Sequence, residues 1–302
     1  MTTKRKGATK AAKSRKSAKK SKSSARTSGR ASLSVATNTD KSVKERVAAM
    51  AQAPLAVCQN EKNLQSLLNV LSNTDEPLKV RLFALQTLQA ASFSVVEFAP
   101  CRPAYVATLR EVSNDPNPEI RERALGILAR DKDGFAQEKL LAGLRAPDKA
   151  LVPPEKALQL LSHDPHSGAY SAARNLVNKN PSETIKREAV RLLAADAKST
   201  PLFEKLLRDK DETREIRQIS ASALQALQPE KLQTHAREIV LDTSEFDDIQ
   251  ATSLTALTHF GDEAALAQDK QLLDSVEQLE GGAAASVTLQ QSARRFLKKF
   301  RR

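Results

Sequence analysis

The chain has 302 residues, is 40% hydrophobic but only 4% aromatic, has no Trp and carries a formal charge of +12. That length allows one or two ordinary domains or a single extended array, and Leu and Ala supply enough apolar surface for thin helical layers rather than one thick core. Scarce Gly and the lack of sustained apolar–polar alternation exclude a sheet-based fold, and no apolar run approaches the ~18 residues of a membrane span.

The charge sits at the ends. Residues 1–40 hold twelve Lys or Arg against a single acid, Asp40, whereas residues 41–293 hold thirty basic and thirty-five acidic groups. Six further basic groups crowd the last nine residues. A segment so poor in large aliphatics and so rich in like charge cannot offset its ordering entropy, so residues 1–40 are expected to be a disordered tail. They also lack the apolar centre of a secretory signal.

Helical periodicity begins at Lys41. Val43, Val47 and Met50 mark a capping helix within 41–59, and Leu64, Leu67, Leu68 and Leu71 form the stripe of a second helix. From Val80 a repeat becomes visible. Its anchors are Val80, Ile120, Pro153, Ile185, Ile216, Ile249 and Leu289. Four positions on stand Ala84, Ala124, Ala157, Ala189, Ser220, Ser253 and Ala293; eight positions on stand Leu88, Leu128, Leu161, Leu193, Leu224, Leu257 and Leu297. A small residue followed one turn later by Leu lets a neighbouring helix approach closely and fills the groove beyond it. Polar turns precede each anchor, as in Asn114-Asp115-Pro116, and supply caps and chain reversals. The anchor spacings are 40, 33, 32, 31, 33 and 40, which places insertions at Ser92–Pro103 and at roughly Asp274–Ala285. Pro153-Pro154 in the third copy reads as a shifted helix start.

These stretches (DEPLKVRLFALQTL, DPNPEIRERALGIL, NPSETIKREAVRLL, DETREIRQISASAL) resemble the HEAT-repeat family, in particular the HEAT-like repeats of phycobilisome lyases. The resemblance covers about residues 60–300. It implies an all-α fold: a right-handed α-solenoid, or superhelix, of antiparallel helix pairs in about seven repeats, the second helix of each pair lining the concave face. The residue after the anchor is basic in four copies (Arg81, Arg121, Lys186, Arg217) and Pro154, Gln250 or Gln290 in the others. The basic ones are expected to form a ladder with turn carboxylates such as Asp75, Asp115 and Asp211.

The tail carries the main functional signal. Lys4, Arg5, Lys6, Lys10, Lys13, Arg15, Lys16, Lys19, Lys20, Lys22, Arg26 and Arg30 make a flexible polycation, similar in composition to histone-like tails and suited to sequence-independent DNA or RNA association by counterion release. With no aromatic interleaved, base stacking is not implied. Arg294, Arg295, Lys298, Lys299, Arg301 and Arg302 form a second basic patch, opposite an apolar stripe of Phe296, Leu297 and Phe300. This helix reads as a terminal cap with a solvated face or as a second phosphate contact.

Cys58 and Cys101 have no paired spacing and read as reduced packing thiols. His163 and His166 lie in a turn with no third ligand indicated, so no metal site is expected, and no cofactor or small-molecule ligand. Enzymes of related HEAT-like fold rely on Trp-bearing pockets or on His-Glu iron ligands, which this chain lacks. The expectation is therefore a non-enzymatic scaffold that binds a protein or peptide on the solenoid surface, with a polyanion-binding tail. A pure protein–protein adaptor whose tail serves targeting or solubility is the alternative, and a HEAT-like lyase or other enzyme the third. The expected location is cytoplasmic, nucleoid-associated in a bacterium or nuclear in a eukaryote.

Overall fold

The computed structural model describes residues 32–179 and 181–301. The described residues are helical throughout, with no strand. Contacts divide the chain into two units, one ending at Ala136 and the other starting at Gln137.

The first unit holds a short helix α1 at 32–36, α2 (Val43–Ala51), a 3-10 segment (Pro54–Gln59), α3 (Glu61–Ser72), α4 (Leu78–Ser92), a four-residue α5 (Val95–Phe98), α6 (Arg102–Val112) and α7 (Pro118–Arg130). Helices α2, α3 and α7 start where the sequence supplies a side-chain cap. Ser42 and Glu45 close a reciprocal capping box on α2, and the Asn117 side chain accepts from the amides of Glu119 and Ile120, with Pro118 in the first turn of α7. Helix α3 packs on α4 and α6, and α4 packs on α2, so like helices of successive pairs stack in layers. In α7 burial extends beyond the expected stripe, covering every residue from Ala124 to Ala129. An inner-layer helix is covered on more than one side, which a single-face periodicity underestimates.

The second unit repeats the scheme. It comprises α8 (Gly134–Arg145), on which the boundary falls, α9 (Pro154–Leu161), α10 (Ser167–Val177), α11 (Glu183–Leu193), α12 (Thr200–Arg208), α13 (Arg214–Leu227), α14 (Pro229–Leu241), α15 (Asp247–Phe260), α16 (Glu263–Gln268), α17 (Lys270–Gly281) and α18 (Val287–Phe300). Helices α9, α11, α13, α15 and α18 each pack on the next, forming one layer, and α14 packs on α17 in the other. The fold is an all-α solenoid of stacked helix pairs. Six of the seven anchors fall on second helices of pairs, and the small and Leu positions of all seven copies are buried. Pro153 is exposed and precedes the first turn of α9, so that helix does start late.

Three assignments of elements and one of cysteine chemistry differ from the sequence expectation. Residues 32–40, assigned to the tail, belong to the fold: Leu33 is 4% exposed and Ala36 fully buried. The helix at Val43 is not a plain cap but the second helix of an eighth pair. The C-terminal insertion is α16 rather than 274–285, because α17 is the regular first helix of its pair and the surplus residues precede it. Finally, the Cys58 and Cys101 sulfurs are joined in a disulfide instead of being free thiols.

The expected ladder forms at Arg81, Lys186 and Arg217 and extends to Arg46, whereas Arg121 donates to the Asp115 and Pro116 carbonyls of its own turn at 2.8 and 3.0 Å. Arg46, Arg81 and Arg217 each donate Nε to the carbonyl ten residues back, of Ala36, Leu71 and Leu207, at 3.0, 2.9 and 3.0 Å. That closes the C-terminal end of the first helix in the same pair. The remaining guanidinium nitrogens reach a carboxylate in the turn of the next pair: Glu76, Asp115 and Glu245 respectively. Lys186 reaches Glu212 in the same way. Of the expected partners only Asp115 is used; Asp75 and Asp211 are exposed, and the adjacent Glu76 and Glu212 take their places. The glutamate stands four residues before the anchor, one turn from it, which aims its side chain into the stack.

A buried pair that loses one partner leaves an uncompensated charge, at a cost of about 3–5 kcal/mol. Arg81→Ala is expected to lower equilibrium stability in urea by that amount, since Arg81 and Asp115 side chains are 4% and 3% exposed. Arg123→Ala, which breaks an exposed pair with Glu119, should cost less than about 1 kcal/mol. Equal effects would show that the rungs carry no special weight.

Candidate protein-binding surface

The insertion between α4 and α6 builds the most apolar surface of the first unit. The 3-10 segment is held to α3 by Asn63, whose Nδ2 donates to the Ala56 carbonyl at 2.7 Å. The Cys58–Cys101 disulfide, with Cα atoms 6.2 Å apart, ties this segment to the start of α6. Between the two tethers α5 is anchored by one residue, Phe98, which is 2% exposed and meets the Tyr105 ring edge-on at 5.4 Å. The Tyr105 hydroxyl is buried without a partner, and burial above all raises its pKa.

The rest of the insertion faces outward. Leu55, Phe93, Val95 and Val96 are 79%, 79%, 69% and 82% exposed. Single exposed hydrophobics are ordinary, but three within one short insertion, with Leu55 on the 3-10 segment that shares a cavity lining with it, are not. A cavity of about 290 Å³ opens beneath, lined by Leu55, Cys58, Ala91, Ser94, Glu97 and Phe98 among others. Chemically the site offers apolar contact area, one carboxylate and a fixed disulfide wall. The sequence reading missed it, because the run SFSVVEF is equally compatible with a core strand or helix and carries no signal of exposure.

The residues singled out for nucleic acid, Lys4 to Arg30, lie outside the described residues, as does Arg302. The rest of the second basic patch is largely tied up. Arg294 pairs with Glu280 and Arg301 with Glu277. Lys299 donates to the Thr258 carbonyl at 2.6 Å and sits over the Phe300 ring. Arg295 and Lys298 are exposed. Phe296, Leu297 and Phe300 are buried in the terminal core, so α18 caps the array. His166 caps α10 through Nδ1, which accepts from the Gly168 amide at 3.2 Å, while Nε2 meets Gln137 Oε1 at 3.1 Å. Among the described residues no group of His, Cys, Asp and Glu has metal-binding geometry, and no helix is long and apolar enough to cross a membrane.

No family model matches the chain, and none of the curated proteins does. Among solved structures the chain is similar to the complex of CpcE and CpcF of phycocyanin lyase from Nostoc sp. PCC7120, at 16% identity and a TM-score of 0.38, over 88% of this chain and 94% of that one. That complex is a lyase. The expectation that the chain is not an enzyme is corrected on this finding, and the non-enzymatic reading is withdrawn.

Proposed function

We propose that the chain is a helical-repeat scaffold that docks a protein partner on the apolar surface around α5, and that its Lys/Arg-rich N-terminal tail associates with nucleic acid or another polyanion. The observation that carries the first part is the group Leu55, Phe93, Val95 and Val96, each more than two-thirds exposed, beside a cavity lined by Leu55, Ser94 and Glu97 and near the Cys58–Cys101 bridge. Exposed apolar side chains on a tethered, non-repeating insertion gain nothing from the fold of the chain itself. Burying them against a partner removes that surface from water.

The double substitution Phe93→Ser/Val96→Ser should leave thermal unfolding nearly unchanged, since substitutions at exposed positions stay within about 0.5 kcal/mol. Affinity capture with wild-type protein should recover a defined partner whose binding weakens at least about tenfold in the variant, since removing a hot-spot residue costs about 2 kcal/mol or more and about 1.4 kcal/mol is tenfold. Undiminished recovery by the variant would count against this surface.

The tail reading rests on charge: all twelve basic residues of the N-terminal region lie between Lys4 and Arg30. Full-length protein should bind duplex DNA with log K falling against log salt at a slope of about −5 to −10, as for six or more phosphate contacts. A chain starting at Ser32, which retains the buried Leu33 and Ala36, should lose that binding. Equal affinity of the two chains would place any nucleic acid contact elsewhere.

A further inference from the structure

The ladder is interrupted between the pairs α14–α15 and α17–α18. At the rung position stands Gln250, and four residues before the next anchor, where Glu76, Glu212 and Glu245 stand in their turns, is Ala285. Both halves of the rung are therefore replaced together. The Gln250 amide reproduces only the inner contact: Nε2 donates to the Val240 carbonyl, again ten residues back, at 3.2 Å, and to the Asp242 carbonyl at 3.0 Å. Its two hydrogens are spent, so Oε1 remains as an acceptor without a donor on a side chain only 3% exposed.

Where the guanidinium and carboxylate of a rung would meet there is a cavity of about 260 Å³, lined by Gln250, Ala285, Leu279, Leu289, Glu245 and Asp247 among others. No Lys or Arg lines it. Glu245 is already engaged by Arg217 and Lys210; burial alone would raise its carboxyl, but those hydrogen bonds outweigh it and hold the group below the usual carboxylate range. Asp247 differs. One of its oxygens, Oδ2, accepts from the Ser286 amide at 2.6 Å, and no cation among the described residues is paired with it. The cavity thus combines apolar groups (Leu279, Ala285, Leu289) with the polar side chains of Thr243, Ser275 and Gln278 and with two open acceptors, Gln250 Oε1 and the second Asp247 oxygen, and among the described residues it holds no cationic group.

We propose that this interruption of the ladder is a binding site for a guanidinium group, presented by an arginine side chain of a polypeptide partner. A guanidinium is flat, always charged and carries five donors in a fixed fork, which suits acceptors on different walls of a cavity that mixes apolar and uncharged polar groups. The chain itself places Arg46, Arg81 and Arg217 at the equivalent position of other pairs. The volume lies below the ~300 Å³ lower end for drug-sized ligands and fits one side chain. A free amino acid would bring its α-carboxylate toward Asp247 and Glu245, which favours a peptide-borne arginine.

The test uses the full-length chain and Nα-acetyl-L-argininamide, with binding followed by NMR chemical-shift changes. Millimolar binding is expected, with shifts confined to the amides around Gln250, Asp247 and Ala285. The isosteric but uncharged Nα-acetyl-L-citrullinamide should bind at least tenfold more weakly, and free L-arginine also more weakly. Gln250→Arg keeps an Nε for the Val240 carbonyl and fills the cavity, so it should abolish binding. Asp247→Asn should weaken it about tenfold, and decides the matter if Gln250→Arg unfolds. No binding, equal binding of the citrulline compound, or undiminished binding by Gln250→Arg or by Asp247→Asn would overturn the site. Free arginine binding as tightly as the amide would overturn its assignment to a polypeptide.

Discussion

A single side chain that bonds both the end of its own helix pair and the turn of the next is the constraint on which this fold depends. Helix pairs stacked in a row bury Leu and Ala surfaces that are nearly interchangeable from one copy to the next, so apolar contact alone leaves register and spacing weakly specified. The guanidinium of Arg81 removes that freedom. Its Nε needs the carbonyl of Leu71 and its terminal nitrogens need the carboxylate of Asp115, so two neighbouring pairs are fixed relative to one buried plane. Burying such a pair is expensive in desolvation, and it is tolerable here because guanidinium and carboxylate each find matching partners. The same geometry recurs at Arg46 and Arg217.

Two departures from this geometry coincide with places where surface chemistry becomes available. The insertion carrying α5 is outside the repeat register. It is fastened by Phe98 and a disulfide rather than by a rung, which leaves its other large side chains free of packing duties. At Gln250 and Ala285 the repeat itself is intact but the rung is missing, and a cavity with unspent acceptors takes its place. In an array whose copies are otherwise engaged with their neighbours, irregularities are where a partner finds groups that the fold has not used.

The repeat was legible from residues because its signature is local: an anchor, a small residue four positions on and Leu eight on, all on one helix. Arg46 escaped because Glu45 stands where the aliphatic anchor should be, so a search from anchors passed over the first rung. The disulfide escaped because its cysteines are 43 residues apart and meet only through the packing of the insertion. The second insertion was misplaced because GGAAA resembles a loop, whereas the surplus residues form α16, whose sequence EAALAQ looks like any repeat helix. Choosing Asp75 and Asp211 as ladder partners named the right turns but the wrong carboxylates; which of two adjacent acids points inward depends on helix phase, which composition does not carry. The apolar exposure of Phe93, Val95 and Val96 was invisible for the same reason, since hydrophobicity predicts burial unless the fold declines to supply a neighbour.

The claim that a rung joins successive pairs can be tested by building one where it is absent. A double-mutant cycle with Gln250→Arg and Ala285→Glu, measured as unfolding free energy in urea, isolates the interaction from the effects of each change alone. If the rung is what couples neighbouring pairs, the two substitutions together will stabilise the chain by about 1–3 kcal/mol more than the sum of the singles, within the range for contacting residues. Additive effects within about 0.3–0.5 kcal/mol, as for sites that do not touch, would contradict the account.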